Sequence, residues 1–118
     1  MRKIPYDIVS RDDLERKINE GVELTLIEVL PEEAYREAHL PGAINIPGDR
    51  LRRSIAMMAP DREGEVIVYC AKPSCTASDR AARLLSELGY SHVGHYRGGK
   101  EHWREGGLPL ESGTPVHQ

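Results

Sequence analysis

Two cysteines, Cys70 and Cys75, are the residues of this chain whose chemistry and spacing first suggest a reactive site. Cys70 follows the apolar stretch Val66–Tyr69, and a short polar segment then leads to a helix predicted to begin after Ser78. A thiol in that position lies near unpaired amide N–H groups and the positive end of a helix dipole, both of which favour an anion. Because the thiolate is the reactive form and such surroundings favour it, Cys70 is a candidate nucleophile.

Both cysteines also have plainer interpretations. Cys70 can be a buried apolar residue that finishes a core strand, since free cysteine is among the most buried residue types. Cys75 can be a small loop residue without a chemical part; alternatively, it attacks a persulfide on Cys70, or the pair cycles between dithiol and disulfide. A disulfide requires Cα atoms within about 7 Å of each other, which the sequence does not fix. A nucleophile, a redox pair and a structural role therefore all remain open.

The histidines do not complete a metal site with these thiols. The spacing of Cys70 and Cys75 is just inside the zinc range, but no second Cys or His pair at ligand spacing accompanies them. We therefore expect no metal and no cofactor. His92, His95 and His117 are predicted to lie at the surface.

Strand and helix signals alternate along the chain that positions these residues. The predicted helices span 11–20, 32–38, 51–58, 79–88 and 100–105, and the predicted strands span 6–9, 24–30, 43–46, 66–70 and 92–96. Ser10 and Ser78 are predicted N-caps, Gly89 ends the fourth helix, and Gly98–Gly99 is a tight turn. The alternation predicts an α/β fold with a largely parallel sheet and helices on both faces. Sites in such folds lie beyond the carboxyl ends of the strands, where Cys70 follows the strongest strand.

Length and composition limit the class of molecule. The chain has 118 residues, of which 39% are hydrophobic and 30% charged, and its formal net charge is -3. We expect a single domain over residues 1–118, with an ordered core at about 5–111 and a C-terminal tail at 112–118. No apolar segment approaches the ~20 residues of a membrane helix, no apolar signal segment follows the N-terminus, and basic residues are interleaved with acidic ones. These observations predict a cytoplasmic protein that binds neither nucleic acid nor a membrane.

Three stretches of the chain resemble the rhodanese family of sulfurtransferases. In 27–47, the segments Ile-Glu-Val-Leu, Pro-Glu-Glu-Ala-Tyr and His-Leu-Pro-Gly-Ala-Ile-Asn-Ile-Pro are similar to the family's opening signature. In 66–77, a strand, a cysteine and a loop stand where the family places its catalytic cysteine. In 96–111, Tyr-Arg-Gly-Gly, Trp103 and Gly-Leu-Pro-Leu-Glu are similar to its C-terminal pattern. The resemblance implies a rhodanese-like three-layer α/β/α fold with a mostly parallel five-stranded sheet.

The resemblance also implies an activity and a set of site residues. Rhodaneses accept sulfane sulfur from a donor such as thiosulfate onto the loop cysteine and pass it to a nucleophilic acceptor. By position, Cys70 would carry the persulfide, and His39 would have a structural role. The partners would be a small sulfur donor (thiosulfate or a persulfide) or a sulfur-carrier protein. The active-site loop that binds the substrate would comprise Ala71, Lys72, Pro73, Ser74, Cys75, Thr76, Ala77 and Ser78, with the backbone amides of its first seven residues cradling the persulfide.

The chain departs from the family pattern in three ways that bear on the sulfur donor. Many members have an arginine five residues after the catalytic cysteine, where this chain has Cys75. The loop is also slightly longer than in the commonest members, and Glu28 and Leu30 stand where an aspartate and an arginine are usual. Because arginine binds a sulfonate bidentately, these changes argue against a site optimised for thiosulfate. Arg80, in the first turn of the next helix, is a candidate replacement contact for an anion.

Two other functions are open to a chain with this resemblance. Dual-specificity cell-cycle phosphatases resemble rhodaneses but have an arginine six residues after the cysteine, where this chain has Thr76. Without that arginine a phosphoryl transition state lacks its main clamp, so a phosphatase or arsenate reductase is less favoured. A non-catalytic or redox-sensing module that uses Cys70 and Cys75 is the principal alternative. The sequence thus predicts a rhodanese-type sulfurtransferase, with the redox module as the second hypothesis.

Overall fold

The computed structural model describes residues 4–114. Over that range the chain forms five strands, five α-helices and one short 3-10 helix at Gly48–Arg50, in the predicted alternating order. The strands are β1 (Asp7–Ile8), β2 (Thr25–Glu28), β3 (Ile44–Asn45), β4 (Glu65–Tyr69) and β5 (His92–His95). The helices are α1 (Arg11–Asn19), α2 (Glu32–Glu37), α3 (Leu51–Met58), α4 (Ala77–Glu87) and α5 (Gly99–Glu105).

The strands form one sheet in the order β1-β5-β4-β2-β3, and every neighbouring pair is parallel. β4 lies at the centre, and its residues Val66–Tyr69 are almost completely buried, as expected for a strand covered on both faces. Parallel strands end at the same edge of a sheet, so the segments that follow β4 and β5 meet there. The predicted parallel five-stranded sheet is confirmed.

Successive residues of β4 face opposite helical layers. Val66 and Val68 belong to a core cluster with residues of α3 and α4, whereas Ile67 and Tyr69 belong to a second cluster with residues of α1, α2 and α5. Cys70 continues the first alternation and packs in the α3 and α4 cluster. The predicted three-layer α/β/α arrangement is therefore confirmed, and Cys70 lies on the side of the sheet that α4 covers.

Of the two serines predicted to cap helices, Ser10 does so and Ser78 does not. Ser10 caps α1, since its hydroxyl accepts a hydrogen bond from the Asp13 amide at 3.1 Å. The prediction that Ser78 caps α4 is wrong, because the helix begins at Ala77 with Thr76 at the N-cap position and no side-chain cap. Ser78 instead lies in the first turn of α4 and is buried against the sheet.

A buried ion pair joins the sheet to two helices. The Glu28 carboxylate lies 3.0 Å from the Lys100 ammonium and accepts a hydrogen bond from the Tyr69 hydroxyl at 2.8 Å. Lys100 also donates to the carbonyls of Ala34 and Ala38, at 3.0 and 2.8 Å. Burial raises the pKa of the Glu28 carboxyl above its ordinary value, against the opposing effect of the hydrogen bonds from Tyr69 and Lys100. This network connects β2, α2 and α5 beneath the carboxyl edge of the sheet.

The C-terminal segment returns to the body of the protein before the described residues end. Glu111 forms an antiparallel bridge with His39, with both backbone hydrogen bonds at 2.8 Å. Residues 112–114 are exposed, and the rest of the predicted tail, including His117, lies outside the described residues. The single domain over 1–118, with its core at about 5–111, stays a prediction. Within residues 4–114, none of the helices has the length and apolar character needed to cross a membrane.

Candidate active site

Cys70 lies immediately after β4, at the centre of the carboxyl edge of the sheet. The residue is only 1% exposed and packs with Val68 of β4 and Ala81 of α4. Its sulfur lies 3.1 Å from the hydroxyl oxygen of Ser78. The candidate nucleophile therefore occupies the strand–loop–helix junction that the sequence predicts, with its sulfur beside the first turn of α4.

The loop at 71–76 brings the two cysteines together. Lys72–Ser74 are exposed, and the Cys75 amide then donates to the Lys72 carbonyl at 3.0 Å in a turn that directs the chain back toward α4. Cys70 and Cys75 form a disulfide, with their Cα atoms 6.5 Å apart. The structure thus represents the oxidised form of the loop, which is one of the alternatives that the spacing left open.

Several loop amides are available to a ligand. The N–H groups of Lys72, Ser74 and Thr76 have no hydrogen-bond acceptor among the residues that the structure describes, and Pro73 has no N–H to donate. Backbone donors near a helix N-terminus are groups that an anion can engage. The cradle of backbone amides around a Cys70 persulfide remains a prediction.

The start of α5 holds the first part of the loop. Lys100 and Glu101 donate their amides to the carbonyls of Cys70 and Ala71, at 3.0 and 2.8 Å. Gly99 permits this approach: it has φ +71°, and a Cβ atom there would lie 2.6 Å from the Cys70 carbonyl oxygen. The sequence predicted only a turn at Gly98–Gly99, because the close contact with a segment nearly thirty residues earlier has no local signal.

Two buried polar side chains, Ser78 and His95, lie behind the Cys70 sulfur. The Ser78 hydroxyl oxygen lies 2.7 Å from Nε2 of His95, the last residue of β5. His95 is 2% exposed, so the prediction that it lies at the surface is wrong. The physical reason is strand alternation: His95 stands two residues after the buried Val93 and shares its face of the sheet. That period of two was the signal in the sequence that could have revealed it.

The surroundings of His95 favour a neutral imidazole. The ring of Tyr6 meets it edge-on, with ring centroids 5.6 Å apart, and the Tyr6 hydroxyl donates a hydrogen bond to Asp79. Nδ1 of His95 has no hydrogen-bond partner within the described part of the chain. Burial lowers the pKa of His95 below its ordinary value; Arg97 lowers it further, and Asp79 opposes both. The burial of the ring and the charge of Arg97 thus both disfavour the charged imidazole.

A cleft of about 440 Å³ opens beside the loop. It lies between Val29 and the loop side of α4, where Ala77 and Arg80 contribute to its wall. The exposed Arg80 guanidinium donates to the Thr76 hydroxyl at 2.8 Å. Asp49 lines the same cleft, so its wall carries charges of both signs. Arg80 as an anion contact stays a prediction.

His39, His92 and Trp103, which the sequence also singled out, lie away from Cys70 or have packing roles. His39 is buried, its Nδ1 lies 2.7 Å from the Tyr35 carbonyl, and its ring stacks on Tyr35, which confirms its structural role. Trp103 is buried and donates to the Pro109 carbonyl at 2.8 Å. His92 is exposed, as predicted. Over residues 4–114, no group of three or more His, Cys, Asp and Glu side chains is arranged to hold a metal ion.

The fold and the junction at Cys70 define a parallel α/β protein with a cysteine-bearing loop beyond its central strand. The Rhodanese-like domain family matches residues 10–106, which is most of the chain. The chain belongs to this family.

The relatives combine two kinds of protein. The chain is 37% identical over 112 residues to the HTH-type transcriptional regulator Rv0324 of Mycobacterium tuberculosis, in an alignment that covers 95% of this chain but only 48% of the regulator. It is 40% identical over 75 residues to the thiosulfate sulfurtransferase PspE of Escherichia coli, covering 64% of this chain and 70% of PspE. The crystal structure of the BH2092 protein from Bacillus halodurans matches with a TM-score of 0.83 and 32% identity, covering 92% and 77% of the two chains. The chain is thus similar to a thiosulfate sulfurtransferase over part of its length, and it spans about half the length of the transcriptional regulator.

Proposed function

We propose that this chain is a sulfurtransferase that carries sulfane sulfur as a persulfide on Cys70 and passes it to a thiol or another nucleophilic acceptor. The observation that carries the proposal is the position of the Cys70 sulfur, at the carboxyl end of the central strand and 3.1 Å from the Ser78 hydroxyl in the first turn of α4. Membership of the Rhodanese-like family and the similarity to PspE support the same reaction class.

Transfer requires two displacements at sulfur. The Cys70 thiolate attacks the sulfane sulfur of the donor, and the rest of the donor leaves with the electron pair of the broken bond. An acceptor thiolate then attacks the terminal sulfur of the Cys70 persulfide, and Cys70 leaves as the thiolate. The charge of the Cys70 thiolate is lost in the first step and returns in the second. In both steps the Cys70 sulfur lies beside polar groups and a helix N-terminus that favour an anion.

The oxidised loop enters this cycle by reduction. Cys75 is partly exposed whereas Cys70 is 1% exposed, so an external thiolate reaches the Cys75 sulfur more readily. Attack there forms a mixed disulfide on Cys75 and releases Cys70 as a thiolate with the electron pair of the broken bond. A second thiol then frees Cys75. The reduced protein is therefore the form that accepts sulfur.

The loop favours a persulfide or a sulfur-carrier protein as the donor over thiosulfate. Cys75 occupies the position at which many family members have an arginine, so a sulfonate loses a bidentate partner there. Lys72–Ser74 are exposed and leave this side of the loop accessible to a protein partner. Arg80, in the adjacent cleft, is the cation that we propose for the remaining anion contact.

The test is sulfur uptake by the reduced protein. Wild type, Cys70→Ala and Cys75→Ser are incubated separately with thiosulfate and with a low-molecular-weight persulfide, and the intact chains are weighed after the reagents are removed. We expect a gain of one sulfur atom in wild type and Cys75→Ser, with faster loading from the persulfide, and no gain in Cys70→Ala. Uptake by Cys70→Ala at the wild-type rate would show that the site assignment is wrong.

The disulfide in the structure favours a second candidate, a redox-sensing module. In such a module the pair cycles between dithiol and disulfide. A separate route to the same bond is resolution of a persulfide: the Cys75 thiol attacks the inner sulfur of the Cys70 persulfide, the Cys70–Cys75 bond forms, and the terminal sulfur leaves as hydrosulfide with the thiol proton. The same weighing experiment separates the candidates, since the module would lose two hydrogens without retaining sulfur. If Cys75 resolves the persulfide, the Cys75→Ser variant should retain sulfur on Cys70 and release less sulfide than wild type. Equal sulfide release from the two proteins would show that Cys75 takes no part in the reaction.

A further inference from the structure

We infer that His95 is a positioning residue for Cys70: acting through Ser78, it fixes a hydroxyl as a hydrogen-bond donor to the Cys70 sulfur. The inference deepens the proposed function and rests on it for its catalytic meaning, because the sulfur concerned is the proposed persulfide carrier. Its structural basis is a continuous chain of contacts from Cys70 to Ser78 at 3.1 Å and from Ser78 to His95 at 2.7 Å.

The disulfide excludes the Cys70 sulfur as a donor in this chain of contacts. In the disulfide the Cys70 sulfur carries no proton, so at its contact with Ser78 it can only accept. A serine hydroxyl has a single proton, and once this is donated to sulfur its oxygen can only accept from His95. In that arrangement Nε2 of His95 carries the ring proton and Nδ1 is an unprotonated acceptor, whereas donation from Ser78 to Nε2 would require the proton on Nδ1.

The environment of Nδ1 agrees with this tautomer. Nδ1 has no hydrogen-bond partner among the described residues. A buried N–H without an acceptor is rarer and costlier than an unpaired acceptor, so the proton belongs on Nε2, which has Ser78 as its partner. The groups that face the ring are the edge of Tyr6, the Ser78 hydroxyl and the more distant charges of Asp79 and Arg97. The Asp79 carboxylate is itself occupied by hydrogen bonds from Tyr6 and Arg83.

A thiolate or persulfide on Cys70 requires the same direction of donation. Both are acceptors, and the proposed transfer cycle returns Cys70 to the thiolate after each turn. A hydroxyl that already points its proton at the sulfur needs no rearrangement when the charge appears there. Without His95, Ser78 keeps its hydroxyl but can turn it to other acceptors. Loss of His95 should therefore weaken the donation, and loss of Ser78 should remove it.

The experiment measures the pKa of the Cys70 thiol from the pH dependence of its alkylation by iodoacetamide. In a Cys75→Ser background, Cys70 is the only cysteine of the chain. Relative to that background, adding Ser78→Ala should raise the pKa by about one unit or more, the effect of one hydrogen bond to a charged acceptor. His95→Phe should raise it by a smaller amount, whereas Ser78→Thr and His95→Gln, which keep the hydroxyl and an N–H, should stay close to the background.

Matched controls come from the same two elements. Ser86→Ala removes a hydroxyl from α4 two turns after Ser78, and His92→Phe removes the exposed imidazole of β5; neither should move the Cys70 pKa. An unchanged pKa in Ser78→Ala, or in His95→Phe, overturns the inference. Alkylation uses no sulfur donor, so a failure of sulfur uptake and a failure of this inference give different results.

A second measurement needs no substitution and so does not depend on whether a variant folds. The tautomer of His95 is read from the 15N chemical shifts of its ring nitrogens in the folded wild-type protein. The inference predicts a proton on Nε2 and none on Nδ1. A proton on Nδ1 would reverse the chain of donors and contradict it.

Discussion

The buried imidazole of His95 differs from those of His39 and His92 in its surroundings. His92 is exposed, and His39 is bonded to the Tyr35 carbonyl and stacked on the Tyr35 ring. Nε2 of His95 is hydrogen-bonded to the Ser78 hydroxyl, and Nδ1 has no hydrogen-bond partner within the described chain. A proton added there would place a charge in apolar surroundings, which is why burial lowers the pKa of this residue.

The lowered pKa of His95 predicts an acid-sensitive stability. Below the ordinary value of 6.5 the unfolded chain binds a proton that the folded chain does not, so the free energy of unfolding falls as the pH falls toward the folded pKa. Above that value both states are neutral and the effect is constant. We expect wild type to lose more stability than His95→Gln between pH 8 and pH 5 in urea unfolding. A difference between the two proteins that does not change with pH would contradict the burial of a neutral imidazole.

At the scale of secondary-structure elements, the junction at Cys70 depends on how closely α5 approaches the loop. The amides at the start of α5 bond to the carbonyls of Cys70 and Ala71, and Gly99 is in contact with the same two residues. The loop is thus held by an element that follows it by nearly thirty residues, through the close packing of two backbones. A side chain at Gly99 would separate them.

Gly99→Ala tests this contact, and Gly107→Ala is its matched control. Both glycines have positive φ, at +71° and +74°, so alanine at either costs about 1–2 kcal/mol of backbone strain. At Gly107 a Cβ would meet nothing within 4 Å, whereas at Gly99 it would meet the backbone of Cys70 and Ala71 at 2.6–2.9 Å. We expect Gly99→Ala to lose more stability in urea unfolding than Gly107→Ala and to load sulfur more slowly. Equal losses and equal loading would show that α5 does not hold the loop.

At the scale of the whole molecule, the buried pair of Glu28 and Lys100 connects three elements under the site. Lys100→Met would leave a carboxylate that is completely buried and without its cation, at a cost of about 3–5 kcal/mol in unfolding free energy. The exposed pair of Arg36 and Glu32 provides the control, since Arg36→Met should cost no more than about 1 kcal/mol. Urea unfolding of both variants measures the difference. Similar losses in the two would mean that the buried pair does not join the layers.

The sequence predicted the parts of this molecule that local patterns determine. The alternation of strand and helix signals along the chain predicts the parallel sheet and the helices on both faces, and the apolar run at Val66–Tyr69 predicts the place of Cys70. At most ends of helices and strands, the predicted bounds differ by a few residues from the bounds in the structure, because the ends of these elements depend on contacts outside the segment. Ser78 is the example: it has the residue type of a cap, but its hydroxyl lies between Cys70 and His95.

What the sequence did not show are the contacts between distant segments at the site. The prediction that His95 lies at the surface is wrong, and the signal against it is the alternation of His95 with the buried Val93. The close approach at Gly99 and the bond between the cysteines depend on how the loop meets α5 and the sheet. Spacing alone left the disulfide as one alternative among several, because a five-residue separation does not fix the Cα distance.

A single turnover tests whether sulfur passes through Cys70. Cys75→Ser is loaded with one sulfur from a persulfide, freed of the donor and mixed with an acceptor thiol, and both partners are weighed over time. We expect Cys70 to lose its sulfur as the acceptor gains it, one for one. A loaded protein that keeps its sulfur, or gives it up only as sulfide while the acceptor stays unmodified, would contradict it.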